Sequence, residues 1–474
     1  MSAAIVSKDL LVLRRESLMK ALLAVILALL VVSLGAGLQR EQVFAKEKAA
    51  AEVTDKDVWM NQGDRNPHSA AHFSRYAFRP ASPLALIDPG TSDFAGLAVW
   101  MEAHYQDPAV FRRAEDGGEL SRYTQLTPAF LLLTAAPLLV FLMMSASIAG
   151  EREDGTLRQL LAAGVSGRQF FSGKFGAGLR LTVMVFTLVF LALAVFALLT
   201  APVAIDADAI LRLVGLFVVF SVYLAICVAL ALGVSALFRT RQAAFLALAG
   251  VWALTAVLLP RFAADVGTSI YPQPDAREVS GELGAASYTF YEDKERQERI
   301  EQELLKEHGV STVEELPINY GAYRLQISEE LSIPEFERVY EGLARRYSAQ
   351  DNTARWFSLL TPAIAAAKLS RGFAGTDRVH QHAFTTAAEL HRRDMIKLLN
   401  DDLMFNASND GTPYTADAAL WAQFEDFEHR PPGLSAVFEL YVKDALLLFA
   451  WLAAALVFEY SVVVRAVRHE VPTA

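Results

Sequence analysis

ILRLVGLFVVFSVYLAICVALALGVSALF, residues 210–238, holds one charged side chain, Arg212. About 20 apolar residues are enough to cross the hydrocarbon core of a bilayer as a helix. Lipid offers backbone groups no hydrogen-bond partners, so a stretch of this kind must satisfy them within a helix. Five more runs read the same way: 18–38 with Lys20 at its edge, 128–149, 176–200, 243–260, and 436–464. The last carries Glu439, Lys443 and Asp444 in its first turns. The whole chain of 474 residues is 53% hydrophobic, with mean hydropathy +0.28. That is more apolar than a soluble chain of two or three domains.

Lys and Arg in the short connections orient the spans. Lys8, Arg14 and Arg15 precede the first run. Arg152, Arg158, Arg168 and Lys174 lie between the second and third, Arg239 and Arg241 between the fourth and fifth, and Arg465 and Arg468 follow the sixth. The connection APVAIDADA, 201–209, has no basic residue and two aspartates. All basic connections fall on one side, so both termini are expected in the cytoplasm. The first run is too long for a signal peptide and has no A-x-A site, so it is expected to stay as an anchor. Residues 5–16 suggest an amphipathic helix on the inner face, with Leu10, Leu11 and Leu13 toward membrane lipids.

The chain divides into an interfacial helix and first span (1–38), an exported segment (39–127), four spans (128–260) with a connection at 151–164, a second exported segment (261–435), and a last span with its tail (436–474). The net charge of −10 sits mostly outside the membrane. Without a basic patch beyond the inner-face charges, nucleic-acid binding has no support. Cys227, the single cysteine, lies in the fourth span, so the exported parts hold no disulfide. Segment 39–127 opens as a polar helix and turns loop-like and proline-rich. Segment 261–435 shows helical spacing at 290–308, 334–347 and 377–403, with Pro317, Pro334 and Pro362 at expected boundaries. Trp356 and Trp421 are expected in an aromatic belt near the membrane.

GVSGRQFFSGKFGAG, 164–178, is glycine-rich and contains a Gly-Lys pair. A phosphate loop needs G-x-x-x-x-G-K-[ST] between a strand and a helix. Here Arg168 takes the first glycine's place and Phe175 that of the hydroxyl residue, with no strand nearby. A helix–break–helix elbow fits better. Asp154 or Thr156 would cap a helix with Leu157, Leu160 and Leu161 on one ridge. Gly164 would end it, and Ser166 with Gln169 would open the next through a capping box. Phe170 and Phe171 would then enter the interface, and Lys174 would reach lipid headgroups.

The run E-R-E-x-G-T-L at 151–157, the leucine pair at 160–161, and V-S separated by six residues from G-K resemble the cytoplasmic connection of ABC-2-type transporter permeases. PHSAAHFSRYAFRPASPLALIDPG and SLLTPAIAAAKLSRGFAGTDRVHQHAF are similar to a bacterial branch of that family with enlarged periplasmic loops. The resemblance implies an all-α integral membrane protein of six transmembrane helices in the bacterial inner membrane, with a mostly helical periplasmic module. It implies a permease subunit of an exporter rather than an enzyme. ATP and magnesium would be bound by a separate ABC ATPase subunit, and this chain would carry no cofactor. The ATPase-facing element would comprise Glu151, Arg152, Glu153, Gly155, Thr156, Leu157, Leu160 and Leu161. The permease would pair with itself or with a paralogous permease. An alternative keeps the ATPase but makes the module a mechanical lever on a periplasmic or outer-membrane partner.

His68 and His72, spaced i,i+4, are candidate metal ligands, with His104, His380, His382 and His391 as further donors. A metalloenzyme built on them is a third reading; hydrogen bonding among the exported loops is the structural alternative. Glu459, deep in the sixth run, is expected to pair with Arg465 or Arg239.

Overall fold

In a computed structural model, residues 2–73, 75–116, 126–200 and 206–470 of the chain are described. The segments 117–125 and 201–205, and the side chains of Leu13 and Arg14, lie outside the described residues. Among those described, six helices are long and apolar enough to cross a membrane: Lys20–Met60, Pro128–Glu153, Gly167–Thr200, Ala207–Leu237, Arg241–Ile270 and Leu434–Glu470. The protein is an all-α, multi-pass membrane protein, and these are spans one to six.

Span four is the hub. In its most apolar window 61% of residues are buried inside the protein, against 11% for span five, so span five shows most of its apolar surface outward. Span four packs on spans two, three and six. A Cβ at Gly233 would sit 2.4 Å from the Phe458 ring, so only glycine permits span six to come this close. Ser235 reaches into span two, where its hydroxyl accepts from Ile148 N and Ala149 N and donates to Ser145 O at 2.6 Å. Spans two and five each contain one π-helical turn, Leu131–Ala135 and Ala253–Leu258. Side chains satisfy the carbonyls that these irregular turns free from helical pairing. Trp252 donates to Thr134 O at 2.8 Å, Tyr223 to Leu133 O at 3.0 Å and Thr361 to Thr255 O at 2.7 Å.

Span one belongs to a single helix, Ser17–Met60, of 44 residues. At the helical rise it is about 66 Å long, roughly twice a hydrocarbon core. The polar stretch after residue 38 is thus a continuation of span one, and it carries Trp59 into a module at one end of the bundle. There Trp59 is fully buried against Trp421, with ring centroids 5.9 Å apart, and donates to Trp421 O. Trp421 is a core residue, not part of an aromatic belt, because the docked helix encloses it. Trp356 is exposed.

The module's helices are Ala276–Glu292, Lys294–His308, Tyr320–Phe357, Pro362–Ala374 and Arg378–Asn406. Pro362 opens its helix behind the capping Thr361. Pro334 differs from expectation: it lies inside Tyr320–Phe357, which tolerates one lost backbone bond because tertiary packing holds both flanks. A small antiparallel sheet, β1 (Arg75–Phe78), β2 (Ala98–Glu102) and β3 (Tyr105–Gln106), stands where the sequence reads as loop. Strands this short carry too few alternations to be legible.

The opposite end holds the first and last of the described residues. The N-terminal helix Ser2–Arg15 lies along the start of span three, and Glu470 at the end of span six meets Arg152 and Arg158.

Candidate functional site: the elbow and the histidine cluster

Span two ends at Glu153, and the chain turns through Gly155 (φ 75°) into the helix Thr156–Ala162. Neither Asp154 nor Thr156 caps that helix. Gly155 occupies the cap position, Asp154 pairs with Arg241, and Thr156 donates to the Glu151 carboxylate. The helix ends in a Schellman motif: Gly164 N donates to Leu161 O at 2.9 Å and Val165 N to Leu160 O at 3.2 Å. Gly164 has φ 82°, which a β-carbon would oppose. Ser166 and Gln169 then form a reciprocal capping box at 3.0 and 3.2 Å, opening Gly167–Thr200.

Lys174 does not reach headgroups. It is 2% exposed, with its ammonium 2.9 Å from Glu151 Oε1 and 3.0 Å from Asp9 Oδ2. Lys8 pairs with the same Glu151 oxygen. Two lysines and two carboxylates thus cancel in a buried knot that ties the N-terminal helix, span two and span three together. Gly173 makes the knot accessible, since a Cβ there would meet Ile5 Cβ at 2.8 Å. Burial pushes the Asp9 carboxyl up from its usual range, against the pull of Lys174.

The residues expected to face an ATPase therefore divide. Glu151, Arg152 and Leu157 point inward: Arg152 donates to Ala236 O at 2.9 Å and Phe238 O at 3.2 Å and pairs with Glu470, while Leu157 is 1% exposed. Leu160 and Leu161 are half-buried against the bundle core. Gly155 shapes the turn and Thr156 braces Glu151. Glu153 is exposed and accepts from Arg241 N at 2.9 Å. The outer face is completed by Arg158, Gln159, Ala162 and Ala163, all exposed. The leucine ridge signals this face, because residues opposite it on a helix must point away. Phe170 is fully buried, and Phe171 lies edge-on to Tyr460 of span six, 5.3 Å between centroids.

Span six joins the elbow to the module. Near its far end Asp444, fully buried, accepts from Arg355 through both oxygens at 3.0 Å, and Tyr441 donates to Asp377. Arg212 pairs with Asp208 and is buried, while Glu439 and Lys443 are exposed. Glu459 departs from expectation: it is fully buried where span six packs closely on Gly233 of span four, and neither carboxyl oxygen has a hydrogen-bond partner among the described residues.

In the module, Asn66 caps the short helix Pro67–Ala70. Ala70 and Ala71 pack into the module core, leaving His68 and His72 on one face. His104 sits between β2 and β3 at φ 65°, an uncommon conformation for a non-glycine residue. One nitrogen from each of His68, His72 and His104 lies within 4.8 Å of the others. His68 Nε2 and His104 Nε2 are 3.0 Å apart. Burial, then the neighbouring His104, pushes His68 down to about 4. Behind His104, Glu329 receives its backbone N–H and lies 3.0 Å from its Nδ1. Burial works to raise the Glu329 carboxyl, but the His104 contact and the Arg392 charge outweigh it and hold it at about 2. The other histidines stand apart: His380 is bonded to Asp377 at 2.7 Å, His391 stacks near Phe424, and His382 is exposed.

Residues 109–254 match the family model of the ABC-2 family transporter protein. Residues 289–430 match that of a domain of unknown function (DUF3526). The first region contains the elbow and the second most of the helical module; the three clustered histidines precede both. No curated protein matches the chain.

Proposed function

The chain is an ABC-2-type permease, and from that premise we propose that it couples ATP hydrolysis by a separate ABC ATPase subunit to export of a substrate. ABC-2 permeases work with such a subunit. In this reading the elbow faces the cytoplasm of a bacterial cell and the module stands in the periplasm, as the basic connections argue. Two permeases, identical or paralogous, would form the pathway.

The observation that carries the proposal is the elbow's construction. Its inner side is fixed by the Glu151–Lys174–Asp9 knot and the Arg152–Glu470 bridge, while Arg158, Gln159, Ala162 and Ala163 form an exposed face. Force applied there passes into spans two, three and six together. Span six would carry it to Asp444 and Arg355, and the rigid helix of span one to Trp59. Mechanical work on a periplasmic or outer-membrane partner without transmembrane cargo is the second reading. The continuity of span one with the module core favours it over any loosely tethered arrangement.

Purification of the full chain from its native membranes, with identification of any ABC ATPase that stays bound, tests the proposal. Replacing Ala162 and Ala163 with arginine is expected to abolish ATPase retention without lowering the thermal unfolding midpoint. Retention unchanged by that pair, or no ATPase bound to the unaltered chain, would remove the coupling role.

A further inference from the structure

The hydrogen-bond directions around the histidine cluster can be followed from fixed ends. Glu330 can only accept, so Gln326 donates to it at 2.9 Å, which leaves Gln326 Oε1 to accept from Asn400 Nδ2 at 3.1 Å. Asn400 then presents Oδ1 to His68 Nδ1 at 3.2 Å, so the His68 proton sits on Nδ1. On the other side Arg392 holds Glu329 Oε2 at 3.2 Å, and Glu329 Oε1 faces His104 Nδ1 in an oblique 3.0 Å contact. That contact lacks hydrogen-bond geometry, so a cation at Nε2 would move the His104 proton to Nδ1, where Glu329 is placed to receive it. With its own proton on Nδ1, His68 presents an Nε2 lone pair to His104 Nε2 across 3.0 Å.

We propose that His68, His72 and His104 form a three-histidine site for a divalent transition metal of the zinc–copper class. Tetrahedral coordination at the usual Zn–N length puts ligand nitrogens about 3.3 Å apart, and the cluster's nitrogens lie between 3.0 and 4.8 Å. A rotamer adjustment of exposed His72 closes the set. All-imidazole donation selects zinc, copper(II) or nickel over magnesium or calcium. Carbonyl and carboxylate partners behind the ligating rings are the usual orienting arrangement of histidine metal sites. Exposure of His72 leaves the fourth position to water or an incoming donor. The ligands belong to the first module segment and the orienting groups Glu329 and Asn400 to the DUF3526 region, so the metal would clasp the two.

The test uses the full chain in detergent, purified without a polyhistidine tag, chelator-stripped and dialysed against micromolar Zn2+, with metal measured by elemental analysis. About one zinc per chain is expected, and cobalt(II) in its place should give the intense visible bands of a tetrahedral site. His68→Ala with His104→Ala should abolish binding, and His382→Ala should leave it unchanged. Because His72 is exposed, His72→Ala keeps the fold and is expected to weaken affinity at least tenfold, which covers the case of a double variant that fails to fold. No stoichiometric zinc, copper or nickel in the unaltered chain, or zinc binding indifferent to His72→Ala, would overturn the proposal; a proton shared between the rings would give the first of these results.

Discussion

Two buried polar clusters sit at opposite ends of the molecule, and they balance differently. At the elbow, Lys8 and Lys174 face Asp9 and Glu151, and every charge has its opposite within contact. In the module, two imidazole Nε2 atoms face each other at 3.0 Å, and the groups behind the rings are acceptors that hold protons on the far side. The first cluster is complete with this chain's own atoms; the second brings three imidazoles together, the set proposed above to take a cation. A satisfied buried network reads as scaffold, and an unsatisfied one as a site waiting for something.

The comparison breaks most directly at Lys174. Lys174→Met leaves Asp9 without its cation and Glu151 with only the half-exposed Lys8. Removing one partner of a buried ion pair costs about 3–5 kcal/mol, so the detergent-solubilised variant is expected to unfold at a much lower temperature. Adding Asp9→Asn should recover part of the loss. An unchanged midpoint would mean that the knot holds nothing together, and the elbow's inner anchor would have to be sought elsewhere.

A smaller effect is expected behind the histidines. Glu329→Gln or Asn400→Leu removes a group that orients a ligating ring, which typically lowers metal affinity about 10- to 100-fold. Zinc titration of each variant against the unaltered chain measures it. Equal affinities would leave the orienting network without a role in the site and weaken the tautomer argument directly. The thermal midpoint of the same variants, measured without metal, separates loss of affinity from loss of fold.

How far the sequence reveals each cluster follows from its geometry. Span positions are legible because hydropathy is summed over about 20 residues, and the Ser166–Gln169 box because it is local. The knot is not legible: Asp9, Glu151 and Lys174 are far apart in the chain, and a lysine at a predicted membrane edge reads as a headgroup contact. The glycines of 164–178 mislead in a similar way. Gly164 does break a helix, but Gly173 serves close packing on Ile5, which no local pattern announces. His68 and His72 share a face by simple spacing, whereas His104 joins them only through the pairing of β2 with β3. Those strands are too short to be foreseen, so the third ligand could not be placed.

The smallest effect tests whether the elbow's local design matters apart from its knot. Ser166 and Gln169 satisfy each other's backbone donors at the entry to span three, as the knot satisfies its charges two turns further on. Ser166→Ala removes the acceptor for Gln169 N and should cost about 1 kcal/mol, a shift of the unfolding midpoint well below that of Lys174→Met. Zinc binding at the far end should not change, since the two clusters lie at opposite ends of the molecule and share no residue. Because the capping box lies beside the face proposed to meet the ATPase, its loss should loosen that face and reduce ATPase retention more than its small stability cost would suggest. If retention instead follows stability alone across Ser166→Ala and Lys174→Met, the elbow acts as a rigid strut. If retention falls with Ser166→Ala while the midpoint barely moves, the angle at which span three enters is itself part of the docking surface.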